Sequence, residues 1–300
     1  MIRGEFGVID FGLKDVKMKT KIMFAAAAVA FSASAAFASD LPASKGPAEP
    51  VVVSPWDFAI GATLTSDYIF RGVTQSNHKP SVWGRAEIRY NIDSTWQLYA
   101  GAAGASIKLS PWVPSPSMEL DGMAGVRATF GNLGVDVGAI VYGYPNTPGV
   151  FYADGRTITW WEGYAKPTYT FNDMFTIGAN LNVTPSFLNM GANGTYLSAT
   201  AKITLPQNIA LSGEFGRQWL GTTDAVLGAV NLPDYNYWNV GASYAYKFAT
   251  LDLRYHGSDL NKNECASIAG PTVPGGLTSR YCGHRFVGTI SFDLTSKDLK

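Results

Sequence analysis

From Trp56 onward the chain alternates apolar and polar residues with period two, and no other feature constrains its fold as strongly. Trp56, Phe58, Ile60, Ala62 and Leu64 alternate with Asp57, Ala59, Gly61, Thr63 and Thr65. Phe175, Ile177, Ala179, Leu181 and Val183 do the same against Thr176, Gly178, Asn180, Asn182 and Thr184. Later, Leu251, Leu253 and Tyr255 oppose Asp252, Arg254 and His256. Successive side chains of a strand point to opposite faces, so each run predicts a strand with one apolar and one polar side. Twelve such strands are predicted, at about 56–70, 81–92, 96–107, 117–130, 134–144, 157–171, 175–185, 196–205, 209–219, 236–248, 250–258 and 284–294.

Their connections alternate in length. Short turns are expected at Ile92–Thr95, Gly131–Leu133, Asn172–Met174, Pro206–Asn208 and around Ala249. Long Gly-, Pro- and Asn-rich loops fall between them, at 71–80, 108–116, 145–156, 186–195, 220–235 and 259–283. An even strand number with short turns on one side and long loops on the other is the pattern of an antiparallel outer-membrane β-barrel. It places both termini on the short-turn, periplasmic side.

A soluble β-sandwich would also alternate, so the distribution of charge and aromatics decides between the two. Aromatics border the predicted short turns in the apolar phase: Trp56, Tyr90, Trp96, Phe130, Phe171, Phe175 and Phe248. Such girdles mark a wall facing lipid, where a charge costs about 2–4 kcal/mol at mid-bilayer and little at the rim. Only Arg217 falls in the apolar phase, near the end of a strand. Charged residues are 15% of the chain, against about 25% in soluble domains, while aromatics reach 13%. The expectation is an all-β transmembrane barrel over 56–294. Net charge is zero, which gives no electrostatic case for a nucleic-acid partner.

The N-terminal residues read as export machinery. Met18-Lys19-Thr20-Lys21 is a short basic segment, Ile22 to Phe37 is apolar and small, and Ala36-Phe37-Ala38 is a small-x-small cleavage pattern. Residues 1–38 are therefore read as an upstream extension plus a cleaved signal peptide starting at Met18, and 39–55 as a flexible periplasmic lead-in. Residues 295–300 form a short tail. In an oxidising compartment the two cysteines, Cys265 and Cys282, have only each other as partners, so a disulfide inside the last long loop is expected. No cofactor or metal is expected, because His284 alone does not complete a zinc site with them.

The polar phase is the candidate lumen. It carries eight basic and ten acidic residues, so no charge sign dominates and weak selectivity is expected. The candidate lumen and mouth residues are Asp67, Arg71, Arg85, Glu87, Arg89, Glu119, Asp121, Arg127, Lys166 and Arg254. Asp67 and Arg71 share the inward phase at the outer mouth, as a constriction or as an ion pair pinning the first loop. Arg85, Glu87 and Arg89 form an inward ladder to which Arg254 and Lys247 can add, as an anion path or as pairs along one face. Trp83, Tyr142, Tyr144, Trp160 and Tyr164 are inward or mouth aromatics that stack a solute or fill the bore. His256 and Ser258 invite a lipase comparison, but His256 points inward and no group is placed to orient it, so no enzyme is expected.

Several strings in this chain resemble a known family. They are Ser66-Asp67-Tyr68-Ile69-Phe70-Arg71-Gly72-Val73-Thr74-Gln75-Ser76, Glu119-Leu120-Asp121, Asp136-Val137-Gly138, Tyr142-Gly143-Tyr144-Pro145 and Tyr255-His256-Gly257-Ser258-Asp259-Leu260. The resemblance, over Trp56 to Leu294, is to the TorF-type (Gcw_chp) family of candidate outer-membrane porins. It implies an exported barrel in the outer membrane of a Gram-negative bacterium. Barrels of this kind usually end on an aromatic that serves as an assembly signal. This chain ends Asp298-Leu299-Lys300, and Phe292 is the residue in the right phase to take that part.

The partners expected are the outer-membrane bilayer, small solutes and the assembly machinery for outer-membrane barrels. Twelve strands lie between the filled eight-stranded barrel and the wide sixteen-stranded porin. Size therefore favours a narrow channel for small solutes or ions over a closed structural or adhesive barrel whose outer loops bind partners.

Overall fold

The structure, a computed structural model, describes residues 55–109, 115–145, 152, 154–273, 275–296 and 298. The signal-peptide and lead-in readings lie outside the described residues, apart from Pro55.

Twelve antiparallel strands close into one barrel. They are β1 (Trp56–Thr65), β2 (Ser81–Asn91), β3 (Trp96–Ser106), β4 (Met118–Phe130), β5 (Leu133–Gly143) and β6 (Trp160–Thr170). The circuit continues with β7 (Phe175–Thr184), β8 (Gly194–Leu205), β9 (Ile209–Leu220), β10 (Tyr235–Tyr246), β11 (Ala249–Ser258) and β12 (Arg285–Thr295). Each strand pairs with its neighbours in sequence, and β1 closes the circuit on β12 through registers such as Ile60↔Leu294 and Ala62↔Phe292. Closure satisfies every strand edge, which a sheet in hydrocarbon needs because no water is present to do so.

The outward face is apolar around the circumference. Leu253 is 73% exposed and Phe286 81%, and Phe58, Ile88, Val137, Leu181 and Val240 are exposed with them. A continuous belt of large apolar side chains is untenable in water and is what a lipid-facing wall requires. The predicted girdle forms at the short-turn end as packed pairs: Trp56 with Tyr90 at 4.9 Å, Trp96 with Phe130 at 5.7 Å, and Phe171 with Phe175 at 5.4 Å between ring centroids. Arg217 does point outward, and its guanidinium lies 3.6 Å from Asp234 beyond the strand end, at the rim where the cost of a charge is small. Phe292 is on the outward face of β12 beside Phe248.

Two differences from the periodicity matter for the interior. The first strand was expected to run to Phe70, but it ends at Thr65. Residues 66–76 then fold inward, and Ile69–Phe70 pairs with Val73–Thr74 in a small hairpin separate from the wall. Arg71 and Gly72 form its tip with φ of 44° and 83°, a left-handed turn that the glycine makes accessible. Lys247 was expected within a strand. It lies instead in the turn between β10 and β11 with φ 53°, exposed, so it does not join Arg254 in a basic patch.

The last long loop is also more ordered than its composition suggested. It contains α1 (Lys262–Ala269), started by Asn261, whose side chain accepts from the backbone of Asn263 and Glu264 while Glu264 returns a bond to the Asn261 N–H. This reciprocal cap satisfies the free donors of the first turn. Cys265 on α1 is bonded to Cys282, so the disulfide closes the loop on itself. Cys282 in turn bridges to Val73, and Thr74 N–H donates to Tyr281 O at 2.9 Å, tying the loop to the inner hairpin. Because the strand ladder closes without this bridge, replacing both cysteines by serine should leave the barrel's resistance to heat in detergent unchanged. Protease should instead cut within 270–280, and an intact loop in that variant would show the bridge to be dispensable for its order.

Candidate functional site: the filled bore and its outer mouth

The hairpin places Arg71 inside the barrel, where the residue is 1% exposed. Its guanidinium donates to both oxygens of Glu162 on β6 at 2.8 Å and to Gln218 Oε1 on β9 at 3.0 Å, so one side chain spans the bore. The Tyr196 and Phe70 rings lie 4.3 and 4.7 Å from its carbon centre. Burial opposes the Arg71 charge, but the facing Glu162 carboxylate outweighs it and holds the group above its ordinary pKa. Tyr142 and Asn182 complete Glu162 by donating at 3.1 and 3.2 Å. A two-toothed, fully desolvated pair of this kind is the strongest ordinary ion-pair geometry.

Asp67 and Arg71, expected as a possible pair, are not partners. Asp67 accepts instead from Thr74 at 2.5 Å and Ser76 at 3.0 Å, has His78 Nδ1 at 2.8 Å, and has Arg285 at 3.7 Å. The reason is the inward fold. Their separation of four residues would align them along a strand, but the turn at Arg71 sends that side chain down the bore while Asp67 stays behind as the hub of the loop.

Below this level the interior is a network of paired charge. Arg127 donates to both oxygens of Glu87 at 2.8 Å and to Asp136 at 3.2 Å, over the Tyr99 ring at 3.8 Å. Arg89 reaches Glu87 at 2.5 Å and Asp57 at 3.3 Å, and Arg85 pairs with Asp293. Arg254 holds Asp252 at 3.0 and 3.1 Å and Asn239 at 2.5 Å. The Arg85-Glu87-Arg89 ladder is thus paired within the wall rather than presented as an anion path. Lys166 sits 4.3 Å from the Tyr164 ring. Most candidate lumen residues therefore converge on the bore, and they fill it. His256 is buried, with Nδ1 2.8 Å from the Tyr237 hydroxyl, and Ser258 Oγ has no hydrogen-bond partner among the described residues, so the two are not arranged as base and nucleophile.

A cavity of about 580 Å³ lies at the long-loop end. The hairpin supplies Phe70 and Val73 to its wall, β5 and β6 supply Tyr142 and Trp160, and α1 and Tyr281 come from the last loop. Tyr142 and Trp160 stack at 4.6 Å and 20°, and Phe187 meets Trp160 edge-on at 5.1 Å. Glu119 also lines it, 2% exposed, and accepts from the Tyr68 hydroxyl at 2.5 Å. Burial pushes that hydroxyl well above its ordinary range, and the Glu119 charge adds to the effect, so Tyr68 remains a donor. The partners Glu162 and Gln218 and the contribution of α1 were not singled out from sequence. Only the Asn261-x-x-Glu264 cap signal could have announced the helix.

The profile of a family described as "Bacterial protein of unknown function (Gcw_chp)" matches residues 49–273. No curated protein matches the chain. Among solved structures, similar barrels include the NanC porin (TM-score 0.47, 8% identity, 79% of this chain and 100% of that one). The P. putida toluene transporter TodX (0.42, 12%, 80% and 89%) and the KdgM porin (0.41, 8%, 79% and 98%) are similar to the same degree.

Proposed function

This chain belongs to the Gcw_chp family, and we propose that it is an outer-membrane barrel of porin type that admits small solutes from its outer mouth, with a bore shut at rest by its first long loop. The observation that carries the reading is the shared hairpin. Phe70 and Val73 face an outer cavity of solute size while Arg71, between them, seals the bore through Glu162. A receptacle joined to a removable plug is what a gated passage needs, and a purely structural barrel has no use for either. Below the hairpin, charges of both signs pair with one another (Arg127 with Glu87 and Asp136, Arg89 with Glu87 and Asp57, Arg254 with Asp252), which supports weak charge selectivity once the plug moves. The TorF-type porin designation suggested by the Ser66 to Ser76 string is part of this proposal.

So are the localisation in the outer membrane of a Gram-negative bacterium after signal-peptide cleavage, and recognition of Phe292 by the barrel-assembly machinery. The long loops face the exterior in this reading, which accounts for the side on which α1 and the disulfide lie. An epitope inserted at 226–229 should be labelled on intact cells, and labelling at Gly131-Asn132 instead would invert the orientation. The function itself is tested by recording refolded wild-type protein in planar bilayers, where sparse, brief openings are expected. A barrel that stays silent even after removal of its plug supports the alternative, a structural barrel whose outer loops bind partners.

A further inference from the structure

We propose that the outer cavity is a binding site for a small organic cation, an amine or quaternary ammonium carried on an apolar or aromatic body. The inference rests on the uptake reading for its purpose, but its chemistry stands on the cavity alone.

The walls come first. Phe70, Tyr142, Trp160 and Phe187 form a continuous aromatic surface, joined by Tyr281 and by the apolar face of α1. Such a lining accepts an apolar body of matching size, and the faces of Trp and Tyr additionally attract a cation through the ring quadrupole. A sugar or an inorganic anion finds little here, because few polar groups converge on the space.

The charge comes second. Glu119 is in the wall, and Asp121 follows it two residues on along the same inward face of β4. Both are buried, at 2% and 7% exposure. Elsewhere in the bore several buried carboxylates meet a guanidinium: Glu162 has Arg71, Glu87 and Asp136 have Arg127, and Asp252 has Arg254. Glu214 is held by the Tyr196 hydroxyl and by the Asn180 and Asn239 amides. Among the described residues no basic side chain lies within ion-pair distance of Glu119 or Asp121. Glu119 is held by the Tyr68 hydroxyl, and Asp121 Oδ1 has no hydrogen-bond partner. Two neighbouring buried carboxyl groups without a counter-charge hold on to their protons, and a bound cation is what would stabilise the ionised form of Glu119. This corner opens onto the aromatic cavity. A cation bound there pairs with the ionised Glu119 carboxylate while its apolar body fills the aromatic box.

The roof comes third. Ala266 to Pro271 of the last loop cover the cavity, and the disulfide fixes that segment against the hairpin. A preformed roof lowers the ordering cost of binding.

Isothermal titration of the detergent-solubilised, disulfide-intact protein with three probes of similar size tests the assignment: benzyltrimethylammonium, benzyl alcohol and benzoate. The ammonium probe should bind saturably to one site, benzyl alcohol about tenfold or more weakly, and benzoate not at all. Glu119→Gln keeps the shape and should weaken the ammonium probe about tenfold while leaving benzyl alcohol unchanged. Equal binding of the ammonium and the alcohol, unaffected by Glu119→Gln, would overturn the cation assignment and leave an apolar receptacle. No saturable binding of any probe would remove the site altogether. The three-probe comparison on unaltered protein needs no variant to fold. Because binding is read without conduction, loss of one does not imply loss of the other. Binding without channel activity would count against the transport reading only, and channel activity without binding against this inference only.

Discussion

Replacing Arg71 by alanine should convert a sparsely opening barrel into one that conducts for most of the recording. The side chain is fully desolvated and carries the two-toothed bond to Glu162, the bond to Gln218 and the packing against Tyr196. Taking away one member of a buried pair costs about 3–5 kcal/mol, mostly through the charge left behind. Here that charge is Glu162, whose remaining donors are Tyr142 and Asn182. The cheapest response is for water to enter and solvate it, which is the event that opens a bore. The hairpin's own pairing is two residues long, and its other ties are separate contacts: Val73 and Thr74 with Cys282 and Tyr281, Gln75 O with the Lys108 N–H, and the Tyr68 hydroxyl with Glu119. Adding Glu162→Gln removes the stranded charge and should return part of the closed time. The two variants together separate an electrostatic seal from a steric one. Open probability in planar bilayers and uptake of small sugars by liposomes are the readouts. Silence in Arg71→Ala, and again after deletion of 68–75, would end the transport proposal in favour of a closed barrel.

Arg127→Leu should produce the largest loss of stability among the interior arginines, without opening the outer plug. Arg127 is 3% exposed and serves two carboxylates at once, Glu87 and Asp136, while stacking on Tyr99. Its loss leaves Asp136 with the Tyr99 hydroxyl as donor and Glu87 with Arg89. By the same argument the cost is about 3–5 kcal/mol, read as a lower urea midpoint in lipid vesicles and a lower temperature for the gel-mobility shift of the folded barrel. The triple variant that also carries Glu87→Gln and Asp136→Asn should recover most of it, because neutral amides need no counter-charge. Arg85 is the internal comparison. Its pair with Asp293 keeps 13% and 14% of its side-chain surface accessible, so water partly compensates for its removal, and Arg85→Leu should cost less than half as much. Equal losses at Arg85 and Arg127 would show that burial does not set the scale in this lumen.

Much of the barrel could be read residue by residue. The lipid-facing wall imposes its demand on every second position independently, so β7 is legible from Phe175, Ile177 and Leu181 without knowledge of any partner strand. The same local logic marks the short turns, the girdle pairs beside them and the outward charge at Arg217. The pairing of Cys265 with Cys282 followed from there being two cysteines in an oxidising compartment. Where local rules failed, a local alternative was competing. Ser66 to Phe70 keep the strand phase, yet the wall ends at Thr65 and these residues turn inward into a hairpin whose left-handed tip is Arg71-Gly72.

What alternation can say about an interior residue is only that it faces inward. Whether Arg85, Glu87 and Arg89 line an ion path or satisfy one another depends on which strands stand opposite them. Arg71 and Glu162 are 91 residues apart, and Arg85 and Asp293 are 208 apart. No spacing rule links them, because they meet only when β1 closes on β12 and fixes the width of the bore. The filled lumen, the plug and the aromatic cavity under α1 were therefore decided by the tertiary structure. The sequence by itself determined the wall, since lipid acts on each strand separately, whereas the contents of the barrel depend on closure, which acts on all twelve strands at once.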